Sequence, residues 1–293
     1  MSTFILILIT GVGLGALYFL VASGLSLIYG LMGVLNFAHG SFLTIGAFTG
    51  LWISTKIFPN PTTWTFIVSM LAGGIAAGLF ALLMEQLVIT RLYNRHIDQA
   101  LVTVGVSLVV TALIGGWFGF DPRFVPTPLW FMNAVTIGEA IIPIDRFIYI
   151  GVAALLLIAM LSILKFTRIG LIIRAGVENR AMVTALGINV RLAFSTVFFI
   201  GGFAAGVGGV LISVFSYGVS PLMGGSWLIY GFIVVVVGGM GSVAGSAIAA
   251  MLIGITNQFA NYYVTGLGDF VVVIILATVL LTKPTGLLGK VSH

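Results

Sequence analysis

The chain has 293 residues, 60% of them hydrophobic and only 6% charged, with a mean hydropathy of +1.25. A soluble domain carries roughly 25% charged residues, so this composition excludes one, and the net charge of +5 is too dispersed to form the dense basic face that a nucleic-acid partner requires. With no cysteine, disulfide frameworks, thiol catalysis and thiolate metal sites are excluded too.

A helix needs about 20 apolar residues to cross the hydrocarbon of a bilayer. A charge at its centre costs roughly 2.5 to 3.5 kcal/mol on the insertion scale, so the crossings should fit between charges. Residues 2–55 hold no Asp, Glu, Lys or Arg and allow two. The run F-I-L-I-L-I at 4–9 has no basic segment before it and no clear cleavage site after it, so it reads as the start of the first span and not as a secretory signal. Residues 57–84 and 99–120 allow one crossing each. The 119–146 segment, with Pro122, Pro126, Pro128 and Pro143 among aromatic residues, reads as an external loop. Residues 147–164 allow one more span, the basic 167–192 segment is a loop, and 192–268 is free of charge and long enough for three. The last stretch, 270–282, is short and must borrow neighbours. The count is about nine, within a range of eight to ten, and predicts an all-α polytopic membrane protein with some broken or short helices, forming one domain over 1–293. The segments are continuously apolar and do not alternate, which excludes a β-barrel.

With nine spans, one set of loops holds Arg91, Arg95, Lys165, Arg168, Arg174, Arg180, Arg191, Lys283 and Lys290, and the opposite set holds Lys56, Arg123 and Arg146. Cytoplasmic loops carry the excess of Lys and Arg. This predicts an external N-terminus, a cytoplasmic C-terminus and a cytoplasmic 167–192 loop.

Glycine is abundant, at 39 residues. Small residues let helices approach closely in lipid, and some glycines can also break helices to line a cavity. Gly238–Ser242 (G-G-M-G-S), between two apolar stretches, is the best candidate for a break. Ile28-Tyr29-Gly30 and Ile229-Tyr230-Gly231 hint at an internal repeat of the kind transporters use.

Two segments carry more information. In Gly30–Gly46, the polar residues Asn36, His39 and Ser41 interrupt an apolar run. Polar groups in lipid must face a partner, a cavity or the interface, and counting spans places this turn at the cytoplasmic end of spans one and two. It is either a hydrogen-bonded turn or part of a translocation path; a lone histidine is a poor metal site. In the cytoplasmic loop, Arg174–Leu186 reads as a short amphipathic helix. Arg174 and Glu178 share a face; Ala181, Met182, Ala185 and Leu186 form an apolar stripe; Gly187 is placed to end the helix. Such a helix needs a partner, either the membrane surface or the groove of a cytoplasmic protein.

The ordered set of N-F-A-H-G at Asn36–Gly40, R-A-G-V-E-N-R-A-M-V-T-A-L-G-I at Arg174–Ile188, G-G-M-G-S-V-A-G at Gly238–Gly245 and K-P-T-G-L-L-G at Lys283–Gly289 resembles the permease subunits of bacterial branched-chain amino-acid ABC importers. The match runs from about residue 10 to 290. The resemblance implies a second, homologous permease as partner, two cytoplasmic ATPases, and a periplasmic binding protein that delivers substrate. It also implies that the motif at Arg174, Ala175, Glu178, Asn179, Met182, Leu186, Gly187 and Ile188 is the coupling helix that docks into an ATPase. Val183 stands where many relatives have Ala, and Ser41 where many have an acidic residue.

On this reading the chain is a non-catalytic subunit of the bacterial inner membrane, binding no cofactor itself, with ATP and magnesium held by the partner ATPases. It contains no Walker motif. Asn36, His39, Ser242 and Asn257 are the candidates for the translocation path, and the 119–146 loop, with Asp121, Glu139 and Asp145, is a candidate surface for the binding protein. Relatives also carry urea, amides or aromatic acids, which stay open as substrates. An ion-coupled secondary transporter would usually place ionisable residues mid-membrane, and the spans hold almost none besides Glu85 and His39.

Overall fold

The computed structural model describes residues 2–33, 36–93, 95–187 and 190–289, the side chains at 31, 32, 177–181 and 190 excepted. Among the described residues, nine apolar helices and one amphipathic helix follow one another: α1 (Ser2–Met32), α2 (His39–Trp52), α3 (Thr63–Leu87), α4 (His96–Phe118), α5 (Ile144–Phe166), the amphipathic α6 (Arg168–Ala185), α7 (Val190–Phe215), α8 (Met223–Gly238), α9 (Val243–Tyr263) and α10 (Leu267–Thr282). Six of them, α1, α3, α4, α5, α7 and α9, are long and apolar enough to cross a membrane. The other apolar helices are short: α8 and α10 have 16 residues and α2 has 14, continued by a π-helical turn at Ile53–Ile57. At about 1.5 Å per residue, 16 residues reach about 24 Å, less than the roughly 30 Å of hydrocarbon.

Helix ends follow local sequence. Thr62 caps α3 through a reciprocal pair of bonds with Thr65, Thr167 caps α6 by accepting from Gly170 N–H, and Ser242 caps α9 by accepting from Gly245 N–H. The expected break at Gly238–Ser242 is present: α8 stops at Gly238, and Gly239 and Gly241 take φ values of +100° and +89° before α9 begins. The 119–146 loop departs from an all-helical reading in one place. Ala134–Ile137 and Ala140–Pro143 pair as an antiparallel hairpin, β1 and β2, with Ile137 opposite Ala140. Gly138, at φ +65°, fills the first central position of the two-residue turn, where a II′ geometry favours glycine.

α1 is the central post, buried almost continuously from Ala16 to Ile28 and packed by α5, α7, α8 and α9. Glycines set the spacing of its neighbours. A Cβ at Gly15 would lie 2.7 Å from the Ala250 carbonyl oxygen of α9, and one at Gly73 of α3 would lie 2.6 Å from the Gly46 carbonyl of α2. Where dispersion and not water drives association, such backbone approaches are what holds helices together.

The contacts place the helix ends on two opposite faces. Leu20 and Gly24 of α1 meet Gly208 and Gly201 of α7, so these two helices run antiparallel. The end of α1 meets the α8–α9 turn at Gly30 and Gly241, and the segment after α10 hydrogen-bonds to the end of α8, with Leu287 N–H on Val237 O and Leu288 N–H on Gly238 O. Ser195 near the start of α7 meets Glu85 near the end of α3. One face thus gathers the ends of α1, α3, α5, α8 and α10, the starts of α4, α7 and α9, and α6. It carries Arg91, Arg95, Lys165, Arg168, Arg174, Arg191 and Lys283 of the basic set of the sequence; the side chain of Arg180 and all of Lys290 lie outside the described residues. The opposite face holds Lys56, Arg123 and Arg146, with the hairpin and a bridge between Arg123 and Val219.

Candidate functional site

α6 begins six residues earlier than the sequence suggested, because Thr167 rather than a residue near Arg174 caps it. Its end is as expected: Gly187 adopts φ +75° and donates to Thr184 O, the left-handed ending that glycine permits. The helix presents two faces. Ile173 and Val183 are 2% and 3% exposed and point into the chain, where α6 packs on α5, α7 and α1. Leu171, Met182 and Leu186 are 60%, 59% and 70% exposed, and Arg174 is exposed as well. The predicted stripe of Met182, Ala185 and Leu186 is therefore the outward one. Val183 fits against the chain's own helices. Ala175 is half-buried. The side chains of Ala181, Glu178 and Asn179, and all of Ile188, lie outside the described residues.

The polar turn before α2 does not sit at the end of the spans. His39 Nε2 donates to Val21 O at 3.0 Å, and Val21 lies eleven residues, about 16 Å of helix, before the end of α1. The chain therefore folds back between the helices, and α2 starts deep in the bundle. Three bonds hold this start: Asn36 Oδ1 accepts from Ala38 N–H at 3.0 Å, Asn36 O accepts from His39 N–H at 3.2 Å, and Thr103 Oγ1 of α4 accepts from Phe37 N–H at 3.2 Å. Phe37 also packs on Phe232 of α8, with ring centroids 5.2 Å apart. Several polar atoms stay unpaired among the described residues although out of contact with solvent: Asn36 Nδ2, His39 Nδ1, Ser41 Oγ and, one turn before Thr103, Gln99 Oε1. Buried polar atoms without partners are costly and call for an explanation. Donor and acceptor capacity at the start of a helix that begins inside the bundle suits a polar waist on a transport route. Gln99 and Thr103 were not singled out from the sequence; two polar residues four apart in an apolar span were the available signal.

The other two path candidates lie elsewhere. Ser242 is occupied as the cap of α9 at the basic face, and Asn257 is buried in α9, where its Oδ1 accepts from Asn261 Nδ2 at 2.9 Å. Asn261 Oδ1 in turn accepts from Gly266 and Gly268 N–H and shapes the entry to α10. The four candidates do not form one site. Nor do the two I-Y-G steps occupy equivalent places: Gly30 lies near the end of α1, three residues before the left-handed Gly33, whereas Gly231 is in the middle of α8.

Glu85, noted only as an ionisable residue near a helix end, is wholly buried. It accepts from Ser195 Oγ of α7 at 2.7 Å and from Tyr93 OH at 2.5 Å, while Tyr93 packs on Phe194. It thereby ties the end of α3 to the first turns of α7, the helix that follows α6. An aromatic run near the opposite face was also missed. Tyr18 stacks on Tyr230 at 4.9 Å, Trp227 packs on both and on Phe215, and Tyr230 OH donates to Asp269 at 2.8 Å.

The family model described as branched-chain amino acid transport system / permease component matches residues 7–281. The chain is 30% identical to the Escherichia coli (strain K12) high-affinity branched-chain amino acid transport system permease protein LivH, over 96% of this chain and 94% of that one. It is 27% identical to the high-affinity branched-chain amino acid transport system permease protein BraD of Pseudomonas aeruginosa, over 97% and 95%, and 28% identical to the high-affinity branched-chain amino acid transport system permease protein LivM of Escherichia coli (strain K12), over 93% and 68%. No solved structure matches the chain significantly. A family-model match over nearly the whole chain and a relative 30% identical over 96% of it place this chain, with its apolar helices around a glycine-spaced core, in the family of branched-chain amino acid transport system permease components.

Proposed function

We propose that the chain is one of two homologous permease halves of an ATP-driven importer of the bacterial inner membrane, carrying hydrophobic amino acids handed over by a periplasmic binding protein. The observation that carries this reading is α6: a polar helix anchored by Ile173 and Val183, lying on the basic face and turning Met182 and Leu186 outward. An exposed Leu and Met one turn apart are the anchors a protein groove takes. Two ATPase subunits on the cytoplasmic side supply that groove and hold ATP and magnesium; this chain performs no chemistry itself. The basic face is cytoplasmic, which puts the N-terminus outside and the C-terminus inside.

The mechanism follows from connectivity. Movement of the docked groove carries α6, and α6 runs into α7 within five residues. α7 passes the movement to α3 through Ser195 and Glu85 and to α2 through the close glycine contacts, so the α2 start shifts against α4 and α8. The polar atoms of Asn36, His39 and Gln99 then exchange their buried state for contact with the passing zwitterion. That two permease proteins of one Escherichia coli system both resemble this chain supports a heterodimer. Uptake of labelled leucine, isoleucine, valine, urea, a short amide and phenylalanine by cells expressing the whole importer tests the substrate class. Accumulation of the three branched-chain amino acids, lost when the ATPases are inactivated, is the expected result; accumulation of urea or amides alone would overturn it.

A further inference from the structure

Where the end of α3 runs beside the start of α7, the surface of the bundle carries a groove of about 550 Å³ that the transport reading leaves without a role. It extends from Gln86 to Leu79 along α3 and from Arg191 to Phe199 along α7, about 10 to 12 Å of helix. Both helices are long and apolar enough to cross the membrane. Leu79 and Leu192 are 49% and 61% exposed, so the groove opens outward, toward lipid. Its chemistry is graded along its length. The end at the basic face carries Arg191 and Gln86, both exposed, and the deeper end is formed by Leu79, Leu82 and Phe199.

The groove is built into the helix pair. The Phe199 ring lies over Gly78, where a Cβ would stand 3.0 Å from Cε2, so its floor depends on the side chain that α3 lacks there. Glu85, the carboxylate beside it, is turned away: one oxygen accepts from Ser195 Oγ at 2.7 Å and the other from Tyr93 OH. No acidic side chain lines the groove among the described residues, and the charge it presents is positive. Over its length the volume corresponds to a cross-section of about 50 Å², less than the roughly 80 Å² of a helix about 10 Å across with its side chains. The groove therefore suits an extended chain and not a second helix.

We propose that this groove holds one anionic glycerophospholipid of the surrounding bilayer, its phosphate against Arg191 and Gln86 and an acyl chain along Leu79, Leu82 and Phe199. Arginine offers phosphate a planar fork of donors, and basic pockets between spanning helices on the cytoplasmic side take lipid headgroups of this kind. The inference goes beyond the transport reading and holds whatever the importer carries.

The test is native mass spectrometry of the complex extracted with its bound subunits and titrated with dioleoyl-phosphatidylglycerol or dioleoyl-phosphatidylcholine, beside melting curves that separate loss of lipid from loss of fold. Expected is one tightly held phosphatidylglycerol on this chain, bound in preference to phosphatidylcholine. In Arg191→Gln that preference should fall about fivefold, the worth of one basic contact at an anionic surface. Leu79→Trp narrows the groove without touching its polar end and should weaken both lipids. Leu83→Trp and Lys165→Gln, which change bulk and charge at exposed positions outside the groove, should leave binding as it is. Equal binding of the two lipids, a preference unchanged in Arg191→Gln, or an equal loss in Lys165→Gln would overturn the site. So would a photo-cross-link from benzoylphenylalanine at position 79 to another protein subunit in place of lipid, since the groove would then be a protein interface.

Discussion

Replacing Leu186 and Met182 together by Asp tests the outward face of α6. Fully burying a Leu or Met side chain gains about 1.5 to 3 kcal/mol, and at 70% and 59% exposure these two offer about two thirds of that to a partner. Docking should therefore lose about 2 to 4 kcal/mol, or roughly 30- to 1,000-fold in affinity, before the cost of carrying two carboxylates into a groove. The permease's own fold should hardly notice, because exposed substitutions usually change stability by less than about 0.5 kcal/mol. Val183→Asp is the contrasting case: one residue away but 3% exposed, it buries a charge against the chain's own helices and should abolish folding. The assay is co-purification of the ATPases with tagged permease, with a detergent melting curve on the same sample. The reasoning fails if the double variant melts like the wild type and still retains its ATPases and uptake, or if Val183→Asp folds normally.

Glu85→Leu removes the acceptor of the Ser195 and Tyr93 hydroxyls; at about 0.5 to 1.5 kcal/mol for each bond, the melting midpoint should fall by an amount worth about 1 to 3 kcal/mol, and Glu85→Gln, which keeps an acceptor oxygen, should lose less. Gly46→Leu sets a side chain against the Gly206 backbone of α7, where neither neighbour has a side chain to move, so it should cost at least the roughly 1 to 3 kcal/mol of overpacking, read as lost expression and heat stability. Gly239→Ala meets both a φ of +100° and the backbone of Gly289, and should detach the segment after α10, raising amide exchange at Leu287 and Leu288. Thr103→Val takes the acceptor from Phe37 N–H and should lower the uptake rate more than it lowers stability, with Thr103→Ser restoring it.

What the sequence made legible was governed by local rules. Charge-free length gave nine apolar helices because insertion energy is paid span by span, and Gly187 and Gly238–Ser242 were readable because a left-handed ending is a property of a few consecutive residues. The amphipathic stripe of α6 was readable for the same reason, although Thr167 as its cap was overlooked. The hairpin carried its signal in Gly138 and the flanking β-branched residues, masked by the surrounding prolines. The depth at which α2 starts was not legible: it depends on Val21 O, Thr103 and Phe232, which lie 18 to 195 residues from the residues they hold in the 37–39 turn. The Glu85 clamp likewise joins segments that sequence order keeps apart. Small residues at helix crossings announced close packing without saying which helices would meet.

The central claim is that this chain works as one permease half of a larger, ATP-driven assembly. The direct measurement is mild-detergent extraction from the native membrane at low salt, followed by native mass spectrometry of everything that remains bound. The account predicts one copy of this chain, one copy of a homologous second permease and two ATPase subunits. A stable, folded species containing only this chain, active in uptake without ATPases, would contradict it.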